Sequence, residues 1–420
     1  MKVDKDRLRE NILTNGTLGS TERRGGNGRT VLTGSMADGQ AREYLVGQLR
    51  SLDLDVRVDP VGNIAGRWEP DGCPEDANPV AAGSHLDSVP QGGLFDGPLG
   101  VYAAVEAVRT LQESDLTLER PIEVVSFTEE EGQRFNRGLL GSSVAAGELS
   151  ASEALTLEDD TGTTLSEYLE DIGFRGEQRI DAGEWDSWLE LHIEQSTMLE
   201  DTGVSSGIVT SVTGITNCRV EISGEADHAG STRMDGRTDC LVAASEFIRD
   251  IERIATELVA TKSEFAVATV GEVTVTPNAR NVVPGSVTLS VDIRDVDLDV
   301  MDEIVALTDQ SLARLERERG VDTALDRYRT VEPVPMSKRC QRALADASNR
   351  NGIETRRLPS GGGHDTMQLA SVTDVGMLFA PSKDGISHSP QEWTAWEECT
   401  RATQILTGAL ADLAGAVPIE

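Results

Sequence analysis

The stretch Val80-Ala81-Ala82-Gly83-Ser84-His85-Leu86-Asp87, continued by SVPQGGLFDGPLG (88–100) and VYAAVEAVRTL (101–111), decides the fold. Its first five residues are small and mostly apolar without alternation, the pattern of a parallel strand covered on both faces. The run ends at a histidine, with an aspartate two residues on. A loop rich in glycine follows (Gly92, Gly93, Gly97, Gly100, with Pro98), and then Val101, Val105, Val108 and Leu111 share one side of a helix. Strand, polar loop and helix in that order open an α/β domain, in which ligands gather at the carboxyl ends of the strands.

Working outward, 122–127 (IEVVSF) reads as a second buried strand running straight into Thr128-Glu129-Glu130-Glu131-Gly132. A third strand, 188–191, ends at His192-Ile193-Glu194-Gln195. Upstream, 37–57 reads as an amphipathic helix, a turn and a short strand. The character changes near residue 213. From there the pattern predicts a strand at 218–222, a helix at 239–260, strands at 265–275 and 286–293, a helix at 301–315 and a strand at 322–328. The order β-α-β-β-α-β is that of a ferredoxin-like domain. After 328 the α/β character returns. The expected fold is therefore α/β, with a catalytic domain formed by 1–212 and 329–420 and an inserted α+β domain at 213–328.

The chain has 420 residues, too many for one ordinary core, which agrees with two domains. Its formal net charge is −34, with 72 acidic against 38 basic residues. Nucleic acid is excluded as a partner by the lack of a basic surface to displace phosphate counterions. The acid is spread along the whole chain, the pattern expected of a protein adapted to high salt. No apolar run approaches the ~18–20 residues needed to span a bilayer. MKVDKDRLRE shows no signal-peptide pattern, so a cytoplasmic location is expected, with no membrane partner. Five cysteines without CxxC spacing predict free thiols.

The chemistry lies in the histidines, of which there are five. His85, the 129–131 glutamates and His192 follow apolar strands and would meet at one sheet edge, with Asp96 folding back over them. Histidine with carboxylates and no cysteine is the ligand set of a catalytic metal site. Two metals would need a shared carboxylate, for which Asp96 is placed. Adjacent glutamates at a strand end point to opposite sides, so one can bind metal while its neighbour acts as a general base. Asp87 can orient the imidazole of His85.

Taken together, GSHLDSVPQGGLFDGPLGV (83–101), FTEEEGQRF (127–135), ELHIEQ (190–195), HAGSTRM (228–234), PNARNVVPG (277–285), DIRD (292–295), SGGGHD (360–365) and GISHSP (385–390) resemble the hydantoinase/carbamoylase branch of the zinc-dependent aminoacylase and carboxypeptidase-like amidohydrolases. That branch includes N-carbamoyl-L-amino acid hydrolases, ureidopropionases and allantoate amidohydrolases. The resemblance implies a di-metal catalytic domain with a central mixed, mostly parallel sheet, and an inserted ferredoxin-like lid and dimerisation domain. It implies that His85 and His192 bind different metals, Asp96 bridges them, and Glu131 and His388 complete the set. Two divalent ions are implied, zinc first, with manganese, cobalt or nickel accepted by the same donors. Glu130 matches the general base. Gln195, Asn281, Arg294 and Gly363 resemble substrate contacts, with Arg294 suited to a small substrate's carboxylate. His228 resembles a histidine that reaches the partner subunit's site in a homodimer and steadies developing negative charge. The implied reaction is hydrolysis of a linear C–N bond, foremost the carbamoyl group of an N-carbamoyl-L-amino acid, by a metal-held water activated by Glu130. Allantoate and acyl-amino-acid or dipeptide hydrolysis are the alternatives. The chain departs from the family pattern at Ser196-Thr197, where Gly-Pro is common, and at Gly362, where Ala is usual.

Overall fold

The computed structural model describes residues 1–21, 27–74 and 76–418. They fall into two compact units, Met1–Thr210 with Met336–Glu420, and Ser211–Pro335.

The first unit is built on a mixed sheet. Four parallel strands lie at its centre in the order Ile122–Phe127, Val80–His85, Ser187–Ile193, Asp374–Ala380. Antiparallel strands extend it on one side (Ile64–Trp68, then Asp55–Val58) and on the other (Ser206–Val212). Every residue of the strands at 80–85, 122–127 and 187–193 is buried, the polar ones (Glu123 and Glu190 among them) included, as in strands of a parallel sheet covered on both faces. Helix Pro98–Gln112 packs on the strand at 80–85 and against helix Trp396–Leu413, which in turn packs on Lys338–Arg350. Alanines 103, 104 and 107 let the first of these helices lie close to the sheet.

Strand order sets the place of the site. The chain goes from 80–85 to one neighbour at 122–127, then crosses back to the other neighbour at 187–193. The carboxyl ends of 80–85 and 187–193 therefore flank the point where the winding reverses, the crevice that open α/β sheets use for ligands.

The second unit is a four-stranded antiparallel sheet in the order Val267–Thr276, Ser286–Asp295, Gly214–Ser223, Asp322–Val331. Helices Cys240–Thr261 and Leu298–Arg319 connect it in the β-α-β-β-α-β order and pack on one face. The other face carries polar residues, among them Asn217, Asp292 and Arg294. Asp239 caps the first helix by accepting from the N–H groups of Leu241 and Val242. The second helix is longer than the expected 301–315. Asp297 caps it three residues earlier, and it runs through Arg317 and Arg319 to Gly320 at φ +70°.

All five cysteines are free thiols, four of them buried. No helix among the described residues is long and apolar enough to cross a membrane.

Candidate metal centre

Gly83 lies opposite Glu190 in the parallel ladder, so His85 and His192, each two residues further on, leave neighbouring strands at the same level. Their ring centroids lie 5.9 Å apart, with the planes inclined by 28°. The loop after His85 returns Asp96 to the same place. Gly97, at φ +82°, makes that return possible, because a Cβ there would lie 2.6 Å from the His85 ring.

Asp96 is the hub. Its Oδ1 lies 3.3 Å from His192 Nε2 and 3.6 Å from His85 Nε2, and its Oδ2 lies 3.5 Å from His388 Nε2. Glu131 Oε2 is 3.4 Å from the same His388 nitrogen. Two groups of ligand atoms share Asp96: His85, Asp96 and His192 in one, Asp96, Glu131 and His388 in the other. This corrects the expected division of labour. His85 and His192 face one carboxylate oxygen together, because their strands are direct neighbours, and fall in the same Asp96-sharing group.

The glutamates also differ from expectation. Glu129 turns the chain with φ +56°, so the backbone is no longer extended, and neighbours do not alternate sides. Glu130 Oε2 comes 3.7 Å from His85 Nε2 while Glu131 reaches His388, so both carboxylates enter the cluster. Glu129 points away, accepting from the N–H groups of Arg134 and Phe135, and is buried rather than solvated. Asp87 is tied to this turn. Its two oxygens accept from the backbone N–H of Glu130 (3.2 Å) and of Glu131 (3.1 Å). The His85 Nδ1 is closer to the Asp87 backbone carbonyl (3.1 Å) than to its carboxylate (3.5 Å), so Asp87 aligns the imidazole mainly through its main chain.

The electrostatics are those of a site built for cations. Burial disfavours charge on His85, yet the Glu130, Asp87 and Asp96 carboxylates hold its pKa well above the usual imidazole value. Burial likewise works against ionising Asp96, but His192 and His85 keep it well below the carboxylate range. Burial pushes Glu130 well up, and pushes Glu131, beside Asp96, up to about 8. Crowded carboxylates facing imidazoles are the donor set of a hydrolytic divalent centre. His85 Nε2 is buried, faces Asp96 and finds no hydrogen-bond partner among the described residues. A nitrogen left so, among oxygens it does not bond, fits a metal ligand.

Gln195 joins the cluster at φ +59°, its Nε2 donating to Asp96 Oδ2 (2.8 Å) and to Ser387 Oγ (3.2 Å). Gly363 lies in the 361–363 turn, which the Ser360 hydroxyl holds by donating to the Gly362 carbonyl at 2.9 Å. His228, Asn281 and Arg294 belong to the second unit. There His228 Nδ1 accepts from the N–H of Gly230 and of Ser231, and the Asn281 carbonyl accepts from Ala229 N–H. Arg294 Nε donates to Asp292 Oδ1 at 2.8 Å.

Four buried or half-buried side chains at the site received no role from the sequence. Ser387 donates to Asp96 Oδ2 at 2.6 Å. His364, pushed well down by burial and by His192, packs edge-on against the His192 ring at 4.6 Å. Glu190, buried, offers a ligand atom close to those of His192 and His364, and Asp365, next to His364 in the chain, is fully buried. Ser387, His364, Glu190 and Asp365 all stand inside motif strings, so position was a usable signal where residue type was not.

The model of peptidase family M20/M25/M40 matches residues 81–412. The chain is 37% identical over 401 residues to an N-carbamoyl-L-amino acid amidohydrolase of Geobacillus stearothermophilus, covering 94% of this chain and 96% of that one. It is 34% identical over 372 residues to an allantoate amidohydrolase of Bacillus subtilis (strain 168), covering 87% and 88%. A solved amidase of the hydantoinase/carbamoylase family from Burkholderia multivorans superposes with a TM-score of 0.90 at 34% identity, covering 100% of this chain and 99% of that one.

Proposed function

The chain belongs to peptidase family M20/M25/M40, and on that premise we propose that it hydrolyses the carbamoyl group of N-carbamoyl-L-amino acids at the cluster around Asp96. The observation that carries the reading is the pair of ligand groups sharing that carboxylate, with a further buried carboxylate, Glu130, beside them. Relatives that bear this activity in their names over nearly the whole chain support the choice of bond.

His85, Asp96 and His192 would hold one divalent ion, and Asp96, Glu131 and His388 a second. Zinc is proposed first, with manganese, cobalt and nickel open to the same donors. Two such ions supply Lewis acidity to the carbonyl oxygen and lower the pKa of water. Glu130 takes a proton from the attacking water as its oxygen bonds to the carbamoyl carbon. The same carboxyl then gives that proton to the amino-acid nitrogen as the C–N bond breaks. The products are the free amino acid and carbamate, which decays to ammonia and carbon dioxide. Glu130 stands beside both ligand groups, its Oε2 3.7 Å from His85 Nε2, where a carboxyl can both accept and return a proton. Asp87, by holding the N–H groups of Glu130 and Glu131, fixes where both carboxyls stand. Gln195 and the turn at Gly363 are proposed to orient the substrate. From the inserted unit, Arg294 is proposed for the substrate carboxylate, which its guanidinium fork fits, with Asn281 and His228 as further contacts. A homodimer through the inserted unit, a cytoplasmic location and adaptation to high salt belong to the same proposal.

The test is ammonia release from N-carbamoyl-L- and D-amino acids, N-carbamoyl-β-alanine and allantoate, in molar KCl with added Zn²⁺ or Mn²⁺. N-acetyl amino acids are followed in parallel by free amine. Stereoselective release from the L-carbamoyl compounds supports the reading. Turnover of allantoate alone, or of acetyl compounds alone, overturns the substrate and keeps the centre.

A further inference from the structure

Glu392 is buried and lies outside the cluster just described, yet it is bonded to its hub. Its Oε1 accepts two consecutive backbone N–H groups, those of Phe95 (2.8 Å) and Asp96 (3.1 Å). Its Oε2 is buried and finds no hydrogen-bond partner among the described residues. The Glu392 N–H donates to the Ser389 carbonyl at 3.0 Å, closing a tight turn directly after His388. From the other direction Gly93 makes room for it, since a Cβ at Gly93 would lie 2.1 Å from the Glu392 carboxylate. Arg29, fully buried, holds the same loop by donating from Nε to the Gly93 carbonyl and from Nη2 to the Leu86 carbonyl, both at 3.0 Å.

A carboxylate oxygen shared by two successive N–H groups fixes the orientation of the peptide between them, and so the direction in which Asp96 leaves the chain. Glu392 thereby ties the segment bearing Asp96 to the segment bearing His388. We propose that Glu392 is a positioning residue for the Asp96–Glu131–His388 group, braced across the loop by Arg29. It acts through the Asp96 backbone and touches none of the ring nitrogens. The His85–Asp96–His192 group depends on it less, because its two imidazoles stand on adjacent strands of the sheet. The inference rests on reading the cluster as a two-ion centre.

Zn²⁺ binding to the metal-stripped full-length protein, followed by calorimetry, separates these claims. Wild type is expected to take up two equivalents, and His388→Ala to lose one of them. Glu392→Leu, which removes the acceptor of both N–H groups, should weaken that same equivalent by about 10–100-fold, the usual cost of disturbing a group that holds a ligand in place. The other equivalent should stay within about threefold. Glu392→Asp, which keeps the charge on a shorter arm, should fall between the two. It also provides the reading if Glu392→Leu does not fold. Unchanged affinities, or equal weakening of both equivalents as a general structural role would give, overturns the inference while leaving the two-ion reading intact. Fewer than two equivalents in wild type overturns both.

Discussion

Replacing Glu190 by leucine should destabilise the first unit far more than replacing it by glutamine. The side chain is buried mid-strand. Its Oε1 accepts from Ser84 Oγ (2.8 Å), and its Oε2 from Thr366 N–H (3.1 Å) and Thr366 Oγ1 (2.6 Å). The Thr366 hydroxyl cannot turn elsewhere, because it already accepts from Trp188 Nε1 at 2.8 Å and must donate to Glu190. Leucine of similar volume would strand the Ser84 hydroxyl, the Thr366 N–H and the Thr366 hydroxyl in the interior. At about 1–3 kcal/mol for each stranded group, the loss comes to about 3–9 kcal/mol. Glutamine can keep its carbonyl oxygen towards Thr366 and offer its NH₂ to Ser84, whose hydroxyl can accept instead. Its cost should be about 1 kcal/mol or less. Urea unfolding of the metal-free protein by tryptophan fluorescence is the assay. Tryptophans 68, 185, 188, 393 and 396 all lie in the first unit, so the signal reports that unit alone. Stabilities of the two variants within about 1 kcal/mol of each other would refute the hydrogen-bond accounting.

Two further outcomes follow from neighbouring groups. A methyl at Gly362 would lie 2.9 Å from Gln195 Oε1 and push the amide that donates to Asp96. Gly362→Ala should therefore lower kcat/KM by roughly fivefold, the worth of about one hydrogen bond, and an unchanged value would show that Gln195 yields freely. Burial, with Glu190 nearby, pushes the Asp365 carboxyl up to about 8. The folded metal-free protein then keeps a proton that the unfolded chain has lost above about pH 4, so this group's contribution to stability falls as pH rises from about 4 to 8. Asp365→Asn should raise the melting temperature at pH 8, with the gain shrinking towards pH 5; a gain that grows towards pH 5 would reverse the sign of the argument.

Much of the centre was legible because its ligands follow apolar strands, and the strand ends of a parallel sheet are where ligands gather. The run from Val80 to Asp87 carried most of that information. Where reading failed, the cause was local geometry. The rule that neighbours alternate holds for extended chain, and it broke at Glu129, whose left-handed turn sends Glu130 and Glu131 into the same cluster. His192 was read as following its strand but lies within it, one residue before its end, opposite Phe379. The strand at 374–380 was not resolved from sequence, since DVGMLFA is too short and too uniformly apolar to separate strand from helix. Arg29 and Glu392 were invisible for another reason. They bind backbone carbonyls and N–H groups, which every residue has, so no residue type at the other end marks the partnership.

The most direct measurement is turnover and metal content of Glu130→Gln beside wild type, with the best N-carbamoyl-L-amino acid as substrate. The glutamine keeps the size of the side chain and removes its capacity to take and return a proton. Loss of ammonia release by at least about 100-fold, the lower range of a general acid–base contribution, with two metal equivalents still bound, is the predicted result. Near-native turnover in the fully loaded variant would contradict the assignment of the proton to Glu130 and, with it, the central claim.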